Sequence, residues 1–301
     1  NGFEILGHSF KTIDSAENRK KFSDTLDELN IGQPRWTAVS SKKELEEFIN
    51  QTGFPVLIRP SYVLSGAAMK VAYNKESLDR YLEKASKISK DAPVVVSEFI
   101  TEAREIELDG LAQNGEILIS IASEHVENAG IHSGDATTIV PAQRLYVETV
   151  RQIKNDAKMI AKALNLNGPF NIQFLAKNND VKVIECNARA ARSFPFISKV
   201  IGANFATHAT DIMLGKRPNI NFNPEDDLTH VGVKAAMFSF SRLKGSDPVT
   251  GVEMSSTGEV GCLAENFDEA FLLAMESTKL QLPKKGVLIS AGSYKEKAKL
   301  I

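Results

Sequence analysis

The feature that most constrains this fold is the stretch 171–192, which reads NIQFLAKNNDVKVIECNARAAR. Two runs rich in Val, Ile and Phe flank a polar break at 177–180, a pattern typical of a β-hairpin. We expect the apolar side chains of both arms to share one face. That requires an odd number of residues in the turn, because a one-residue slip moves one arm's side chains to the other face. These side chains are Ile172, Phe174, Ile184 and Cys186.

The same register predicts a polar row on the second face of the hairpin. Gln173 lies opposite Glu185 in this register. Asn171 lies opposite Asn187, so that amide and carboxylate oxygens line one side of the strand pair. Such oxygens suit a hard cation such as Mg²⁺, which binds one or two carboxylates together with substrate phosphates.

An alternative interpretation is an edge hairpin whose polar face meets water. Two arginines follow the hairpin at once, Arg189 and Arg192, and guanidinium groups bind anionic oxygens. Because amide, carboxylate and guanidinium groups converge on one place, we favour a binding site over a solvated edge.

The composition is that of an ordinary soluble globular protein, with 43% hydrophobic and 25% charged residues. A net charge of -2 does not favour binding to nucleic acid. No apolar run approaches the ~20 residues of a membrane span, and no signal peptide is visible. Cys186 and Cys262 fit reduced thiols, and no zinc-binding spacing occurs. We expect neither a nucleic-acid nor a membrane partner, and we interpret the chain, which lacks a starting Met, as a piece of a longer polypeptide.

Periodicity predicts the remaining elements. Apolar stripes at helical spacing predict helices over 15–30, 41–53, 78–85, 153–164, 193–201, 204–214 and 267–279. Strands are predicted over 54–59, 94–99, 104–112, 117–122 and 231–240, with further strands starting near 69, after 257 and over 287–290. In the run 104–112, alternation separates Ile106 and Leu108 from the acidic residues Glu105, Glu107 and Asp109.

The segment 59–69 joins two predicted strands through a loop of small residues. Arg59 ends a buried strand, and a buried Arg requires an anionic partner. The small residues at 65–68 would let backbone N–H groups approach a phosphate, and we expect this loop to close over a nucleotide as a lid. A plain hairpin turn is the alternative, and no Walker motif follows.

The segment 123–135 is polar, interrupted by glycine and long for a loop, and such loops tend to be functional. It contains His125 and His132. Their spacing matches no zinc pattern and no third ligand is adjacent, so we expect no zinc site.

Five blocks together resemble one known family. They are RPSYVLSGAAM (59–69), EHVENAGIHSGD (124–135), FNIQF (170–174), VIECNARAARSFPF (183–196) and STGEV (256–260). In this order they closely resemble the large synthetase component of carbamoyl-phosphate synthase. More narrowly, they resemble its C-terminal half, which phosphorylates carbamate. Their sequences are most similar to those of the eukaryotic multifunctional enzymes. The resemblance implies an α+β ATP-grasp fold, in which two α+β lobes hold the nucleotide between them.

The resemblance also implies roles for individual residues. The residues implied at the ATP phosphates are Arg19 and Arg59. Those implied at the adenine and ribose are Glu98, Ile100 and Glu105. The long loop would line the nucleotide pocket with Gly130, Ile131, His132 and Ser133. The implied ligands of Mg²⁺ or Mn²⁺ are Gln173, Glu185 and Asn187. The residues implied to hold carbamate or the transferring phosphoryl group are Arg189 and Arg192.

The resemblance implies three segments: the tail of a preceding domain (1–14), the ATP-grasp domain (15–282) and the start of a truncated allosteric domain (283–301). The first synthetase half and the glutaminase domain are not in this sequence, so the implied partners are those parts of a parent enzyme. Carbamate is the implied substrate, and the full-length enzyme is expected to be an oligomer. The implied location is cytoplasmic, or mitochondrial if the parent is a urea-cycle type.

Two other functions remain open at this point. One is a different ATP-grasp ligase such as a biotin carboxylase, although the 124–135 block argues against it. The other is a regulatory fragment that binds nucleotide without turnover. A purely structural protein would leave Arg59, Glu185 and Arg192 without roles, and it ranks last.

Overall fold

The computed structural model describes residues 5–39, 41–60, 69–88, 94–221, 223–239 and 249–288. The predicted lid at 65–68 and the second half (289–290) of the strand predicted over 287–290 lie outside these ranges. Within the described ranges, no helix combines the length and the apolar character that crossing a bilayer would demand.

The chain begins with two short helices where one was predicted. Helix α1 covers Phe10–Glu17 and α2 covers Arg19–Glu28. The prediction of a single helix over 15–30 is wrong because Asn18 interrupts it. Its backbone is extended, and its side chain accepts a hydrogen bond from the N–H of Lys21 at 3.1 Å. Asn favours such N-cap positions over helix interiors, since its amide oxygen competes for backbone donors.

A smaller lobe follows these helices. Among its described residues, four strands form an antiparallel sheet in the order β1-β4-β2-β3. Ser41 is the N-cap of α3, because its side chain accepts a hydrogen bond from the N–H of Glu44 at 3.2 Å. The elements of this lobe are β1 (Trp36–Ala38), α3 (Lys42–Thr52), β2 (Val56–Arg59), β3 (Lys70–Ala72), α4 (Lys75–Ile88) and β4 (Val95–Glu98).

The larger lobe contains an antiparallel sheet of seven described strands in the order β11-β10-β7-β6-β5-β8-β9. Apolar side chains of α1, α2 and α5 pack on one face of this sheet. Helices α6 and α7 cover part of the other face. The elements are β5 (Arg104–Gln113), β6 (Glu116–Asn128), β7 (Thr138–Val140), α5 (Val147–Leu164), β8 (Gly168–Lys177), β9 (Asp180–Asn187), α6 (Phe194–Val200), α7 (Phe205–Met213), α8 (Pro224–Asp227), β10 (Val231–Met237), β11 (Gly258–Ala264) and α9 (Phe267–Ser277).

The predicted hairpin is β8–β9, and its polar register is confirmed. Gln173 pairs with Glu185 and Asn171 pairs with Asn187. The odd-numbered turn is wrong, however. The turn holds the two residues 178 and 179, both Asn with positive φ (51° and 65°), as type I′ turns require.

A β-bulge in β9 adds the one extra residue that the register requires and that the two-residue turn does not contain. The ladder shifts between Gln173 and Phe174, so that Ile184 has no partner of its own on β8. A bulge re-aims the side chains beyond it. Val181 and Val183 therefore face the core, whereas Ile184, predicted to lie there, lines the opposite side.

The predicted long loop over 123–135 is only half correct. Strand β6 continues to Asn128, and the connecting loop covers 129–137. Ser123, Glu124 and His125 look like loop residues in the sequence but are buried in the sheet. A hydrophobic pattern does not predict this part of the strand, because polar side chains in it are buried with hydrogen-bond partners inside the protein.

Close packing at Gly110 of β5 gives a stability prediction. A Cβ at this position would lie 2.7 Å from both the carbonyl oxygen of Ile119 and the ring of Phe170. We expect Gly110→Ala to lower the free energy of unfolding by about 1–3 kcal/mol, because the neighbouring backbone and ring must move. Urea titration followed by circular dichroism would measure it. Gly258→Ala, where a Cβ meets nothing within 4 Å, is the matched control. Equal stability of the two variants would contradict the packing argument.

Candidate functional site

A cleft of 480 Å³ lies between the two lobes, over the part of the large sheet that α6 and α7 leave uncovered. Every residue predicted from the sequence to belong to the site lines this cleft. These residues are Arg19, Arg59, Glu98, Ile100, Glu105, Gly130, Ile131, His132, Ser133, Gln173, Glu185, Asn187, Arg189 and Arg192. The structure thus brings them together, while their individual roles stay predictions.

The floor of the cleft is built from cross-strand rows on β5, β8 and β9. Residues paired across neighbouring strands point to the same face of a sheet. The alternation of Glu105 and Glu107 with Ile106 and Leu108 therefore holds, since the apolar pair faces the core. The rows are Glu107–Gln173–Glu185 and Asp109–Asn171–Asn187.

Glu185 is the acidic centre of this floor. Its Oε2 lies 2.7 Å from Nη2 of Arg19, and its Oε1 accepts a hydrogen bond from Nδ2 of Asn187 at 3.0 Å. Burial opposes ionisation of this carboxyl, but Arg19, the hydrogen bond from Asn187 and the charge of Arg59 outweigh it. They lower the pKa of Glu185 to about 2. The group is a carboxylate throughout the physiological pH range.

Asn187 connects the floor to the predicted anion-binding arginines. Its Oδ1 accepts a hydrogen bond from Nη2 of Arg189 at 3.0 Å. Arg189 also reaches Glu17 at the end of α1, with 3.7 Å between Nε and Oε1. The segment after β9 is therefore tied to the boundary between α1 and α2.

The donor set on the floor fits a divalent cation bound together with an anionic ligand. Glu185 offers an ionised carboxylate, and Gln173 beside it offers an amide oxygen. No group of three or more His, Cys, Asp or Glu suited to an ion occurs among the described residues. Mg²⁺ is commonly held in this way, by one or two carboxylates with phosphate oxygens and water completing the octahedron.

Arg59 connects the lobes and offers an unpartnered donor. Its Nη2 donates to the carbonyl oxygen of Ile184, the bulge residue of β9, while its buried Nε has no hydrogen-bond partner. Burial and the charge of Arg19 lower the pKa of Arg59 to about 9, so that it keeps its charge at neutral pH. A buried, charged donor in a cleft favours an anionic ligand.

The loop over 129–137 carries the predicted nucleotide contacts. Nδ1 of His132 accepts a hydrogen bond from the N–H of Gly134 at 3.0 Å, and burial lowers the pKa of His132. The neutral ring therefore carries its proton on Nε2. Gly130 has φ +109° and would place a Cβ 2.7 Å from the Phe99 ring, so that only glycine allows this close approach.

An ionic network beneath the cleft was not predicted from the sequence. Nε2 of His125 lies 2.9 Å from Oε1 of Glu107, and Nδ2 of Asn171 donates to Oε2 of Glu107 at 2.8 Å. Burial raises the pKa of Glu105 to about 7. Burial and the charge of Glu107 raise the pKa of Asp109 to about 8. The alternating carboxylates of the run 104–112 were the available signal, but nothing in the sequence paired them with His125.

Comparison with known families gives one match over most of the chain. Residues 18–220 match the model of the family described as "Carbamoyl-phosphate synthase L chain, ATP binding domain". The multifunctional protein ura1 of Schizosaccharomyces pombe is 54% identical over 300 residues, which are 99% of this chain and 13% of that protein. The mitochondrial carbamoyl-phosphate synthase [ammonia] of Mus musculus is 47% identical over 96% of this chain and 20% of its own length. The chain thus spans a fifth or less of these relatives.

Solved structures with low sequence identity share the fold. The biotin carboxylase domain of Hydrogenobacter thermophilus 2-oxoglutarate carboxylase, in complex with MgADP, ADP and bicarbonate, matches with a TM-score of 0.76. It is 17% identical, and the match covers 92% of this chain and 69% of that one. The Staphylococcus aureus N5-carboxyaminoimidazole synthetase complexed with ADP matches with a TM-score of 0.70 at 15% identity, over 92% of this chain and 74% of that one.

Proposed function

The chain belongs to the carbamoyl-phosphate synthase L-chain ATP-binding family and has the ATP-grasp fold, and from that premise we propose that it phosphorylates carbamate with ATP. One observation carries the proposal. Gln173 and Glu185 are paired on the floor of a cleft that Arg19 and Arg59 enter. Carboxylate, amide and guanidinium groups around one space suit a nucleotide triphosphate and its cation.

We assign Gln173, Glu185 and Asn187 as the protein ligands of Mg²⁺, and the same oxygen donors would accept Mn²⁺. When bound, the cation neutralises charge on phosphate oxygens. The chain's own contribution is to keep Glu185 ionised through Arg19 and to hold Gln173 opposite it. To hold the cation, Glu185 would give up its contact with Arg19, and we propose that Arg19 would then turn to the phosphates.

The arginines would bring two anions together. A carbamate oxygen attacks the γ-phosphorus, the bond from that phosphorus to the β–γ bridging oxygen breaks, and ADP leaves. Phosphoryl transfer of this kind requires positioning and charge neutralisation rather than a side-chain nucleophile. We assign Arg59 to the phosphates and Arg189 with Arg192 to carbamate or the transferring group. All three line the cleft.

The nucleoside would lie along the junction of the lobes. We assign Glu98, the last residue of β4, Ile100 just beyond it, and Glu105 to the adenine and ribose, since all three line the cleft. The Nε2–H of neutral His132 offers a donor, and its neighbours Gly130, Ile131 and Ser133 complete that wall.

The activity is proposed for a longer parent enzyme, because the relatives are much longer than this chain. We propose that the parent supplies carbamate through a first synthetase half and a glutaminase, that it is an oligomer, and that it works in the cytoplasm or mitochondrion. We keep 15–282 as the ATP-grasp domain. Residues before it already contact the large lobe, since Oγ1 of Thr12 donates to the carbonyl oxygen of Leu164 at 2.9 Å.

The test is ATP formation from ADP and carbamoyl phosphate by the parent polypeptide. We expect ATP to accumulate with Mg²⁺ and to stop when the metal is chelated. Acetyl phosphate, an acyl phosphate without the amino group, is the control phosphoryl donor and should support far less ATP. Nucleotide binding without any ATP formation would favour a regulatory fragment. Bicarbonate-dependent ADP release stimulated by biotin would favour a biotin carboxylase instead.

A further inference from the structure

The block STGEV at 256–260 has no role in the function proposed above, and the residues just before it cross the cleft. We call residues 251–256 the strap. The carbonyl oxygen of Gly251 accepts a hydrogen bond from the N–H of His132 at 2.8 Å, and Val252 lines the cleft. Nζ of Lys70, on β3 of the smaller lobe, lies 2.7 Å from Oε2 of Glu253. The strap therefore contacts both lobes.

Asp135 anchors the strap to the loop over 129–137, which we call the nucleotide loop because of the contacts assigned to it above. Its Oδ2 accepts a hydrogen bond from the N–H of Ser255, and its Oδ1 accepts one from the N–H of Ser256, both at 2.8 Å. The Ser256 hydroxyl donates to the carbonyl oxygen of Gly134 at 2.9 Å. Asp135 is buried, and hydrogen bonds to an ionised group are the stronger kind, so that two successive strap residues are held firmly.

This anchor sets the position of Met254. Its Sδ contacts Nη1 of Arg192 on one side. On the other side it lies against Gly134, where an added Cβ would come within 2.7 Å of Sδ and 3.1 Å of Cγ. The thioether is thus packed between the nucleotide loop and the guanidinium that we assign to the transferring group.

We propose that Met254 is a positioning residue for Arg192, and that Asp135 holds it in place through the strap. The inference rests on the proposed function of Arg192. A long Arg side chain samples many rotamers, and contact with a fixed neighbour removes that freedom before substrate arrives. Misplacing a binding group by about 1 Å can cost up to about 10²-fold in rate.

The experiment compares Met254→Ala and Met254→Leu in the parent polypeptide, with ATP formation from ADP and carbamoyl phosphate as the readout. We expect Met254→Ala to lower kcat/KM for carbamoyl phosphate by about 10-fold to 100-fold while KM for ADP stays within about twofold. Met254→Leu conserves volume and should stay close to the parent. Met159→Ala, on the exposed side of α5, is the matched control.

A second variant addresses the anchor. Asp135→Asn keeps one acceptor oxygen but removes the charge, so that one strap N–H loses its partner. Asp135→Asn should reproduce part of the fall in kcat/KM for carbamoyl phosphate that we expect for Met254→Ala. In the double variant, kcat/KM should be close to that of Met254→Ala alone.

Two results would overturn the inference. One is a Met254→Ala variant whose kcat and KM values equal those of the parent. The other is an equal rise in KM for ADP and for carbamoyl phosphate, which would indicate general loosening of the cleft. A parent polypeptide that forms no ATP from these substrates would refute the proposed function itself, and the inference with it.

Discussion

Glu185→Gln is expected to leave the chain folded and to reduce ATP formation from ADP and carbamoyl phosphate by about 10²–10³-fold in the parent polypeptide. Losses of this size follow removal of one preorganised electrostatic group in other enzymes. The substitution keeps the shape of the side chain and its hydrogen bond from Asn187, and removes only the charge. The variant therefore tests the negative charge of Glu185 separately from the shape of its side chain.

Two consequences of the lost charge combine in this variant. The proposed cation loses its one carboxylate ligand on the floor. Arg19 loses its ion-pair partner, and Arg59 loses a negative charge that acts on it. At present the charge of Glu185 favours the protonated form of Arg59, against burial and the charge of Arg19. Without it, the pKa of Arg59 should fall below its present value of about 9.

The measurement is the initial rate of ATP formation over a range of Mg²⁺ concentrations. We expect the apparent Mg²⁺ affinity to fall together with kcat. Glu116→Gln is the matched control, because Glu116 lies on the same sheet but is paired with Arg217 at the exposed end of β6. Wild-type rates and Mg²⁺ dependence in Glu185→Gln would refute the assignment of this residue as a metal ligand.

The sequence predicts the polar floor because strand alternation needs only local information. Gln173 and Glu185 face each other as the hydrophobic pattern requires, although that pattern could be met in two ways. A three-residue turn and a two-residue turn with a bulge both place Gln173 opposite Glu185, but they send Ile184 to opposite faces. Only the structure distinguishes them, and the bulge it shows frees the Ile184 carbonyl for Arg59 of the other lobe.

Contacts between distant segments account for what the sequence did not predict. Asp135 and the strap are 120 residues apart, and no local pattern links them. His125 looked like a loop residue because it is polar, yet it lies in β6, where its backbone pairs with Thr138 of β7 and its side chain contacts Glu107 of β5. Burial of polar groups becomes intelligible only once their partners are known.

Those buried partners give the second large prediction, which concerns stability. We expect His125→Leu to lower the free energy of unfolding by about 3–5 kcal/mol, because it leaves the Glu107 carboxylate buried without its cationic partner. Asn171 still donates one hydrogen bond to Glu107 and the charge of Lys234 still favours its ionised form, but neither replaces the hydrogen bond from the imidazole ring. Urea unfolding followed by circular dichroism measures the loss. His208→Leu, a half-exposed His on α7, should stay within about 0.5 kcal/mol of the parent.

A double variant separates the missing charge from the missing volume. Glu107→Gln removes the charge and keeps an acceptor for Asn171, so that Glu107→Gln with His125→Leu should be more stable than His125→Leu alone. If the double variant is less stable by the full sum of both single losses, the two side chains do not act as an ion pair.

The pH dependence of the His125→Leu effect tests the same pair through its protonation. Burial opposes a charge on His125, but Glu105 and Glu107 outweigh it and raise the pKa of His125 above 6.5. A raised folded-state pKa gives stability that is fully present below the unfolded-state value of 6.5 and is lost as pH rises through the folded-state value. The difference in free energy of unfolding between the parent and His125→Leu should therefore be larger below pH 6.5 than in alkaline buffer. A gap that stays constant or widens toward alkaline pH would mean that His125 is buried as a neutral ring, held by its hydrogen bond to Glu107 rather than by charge.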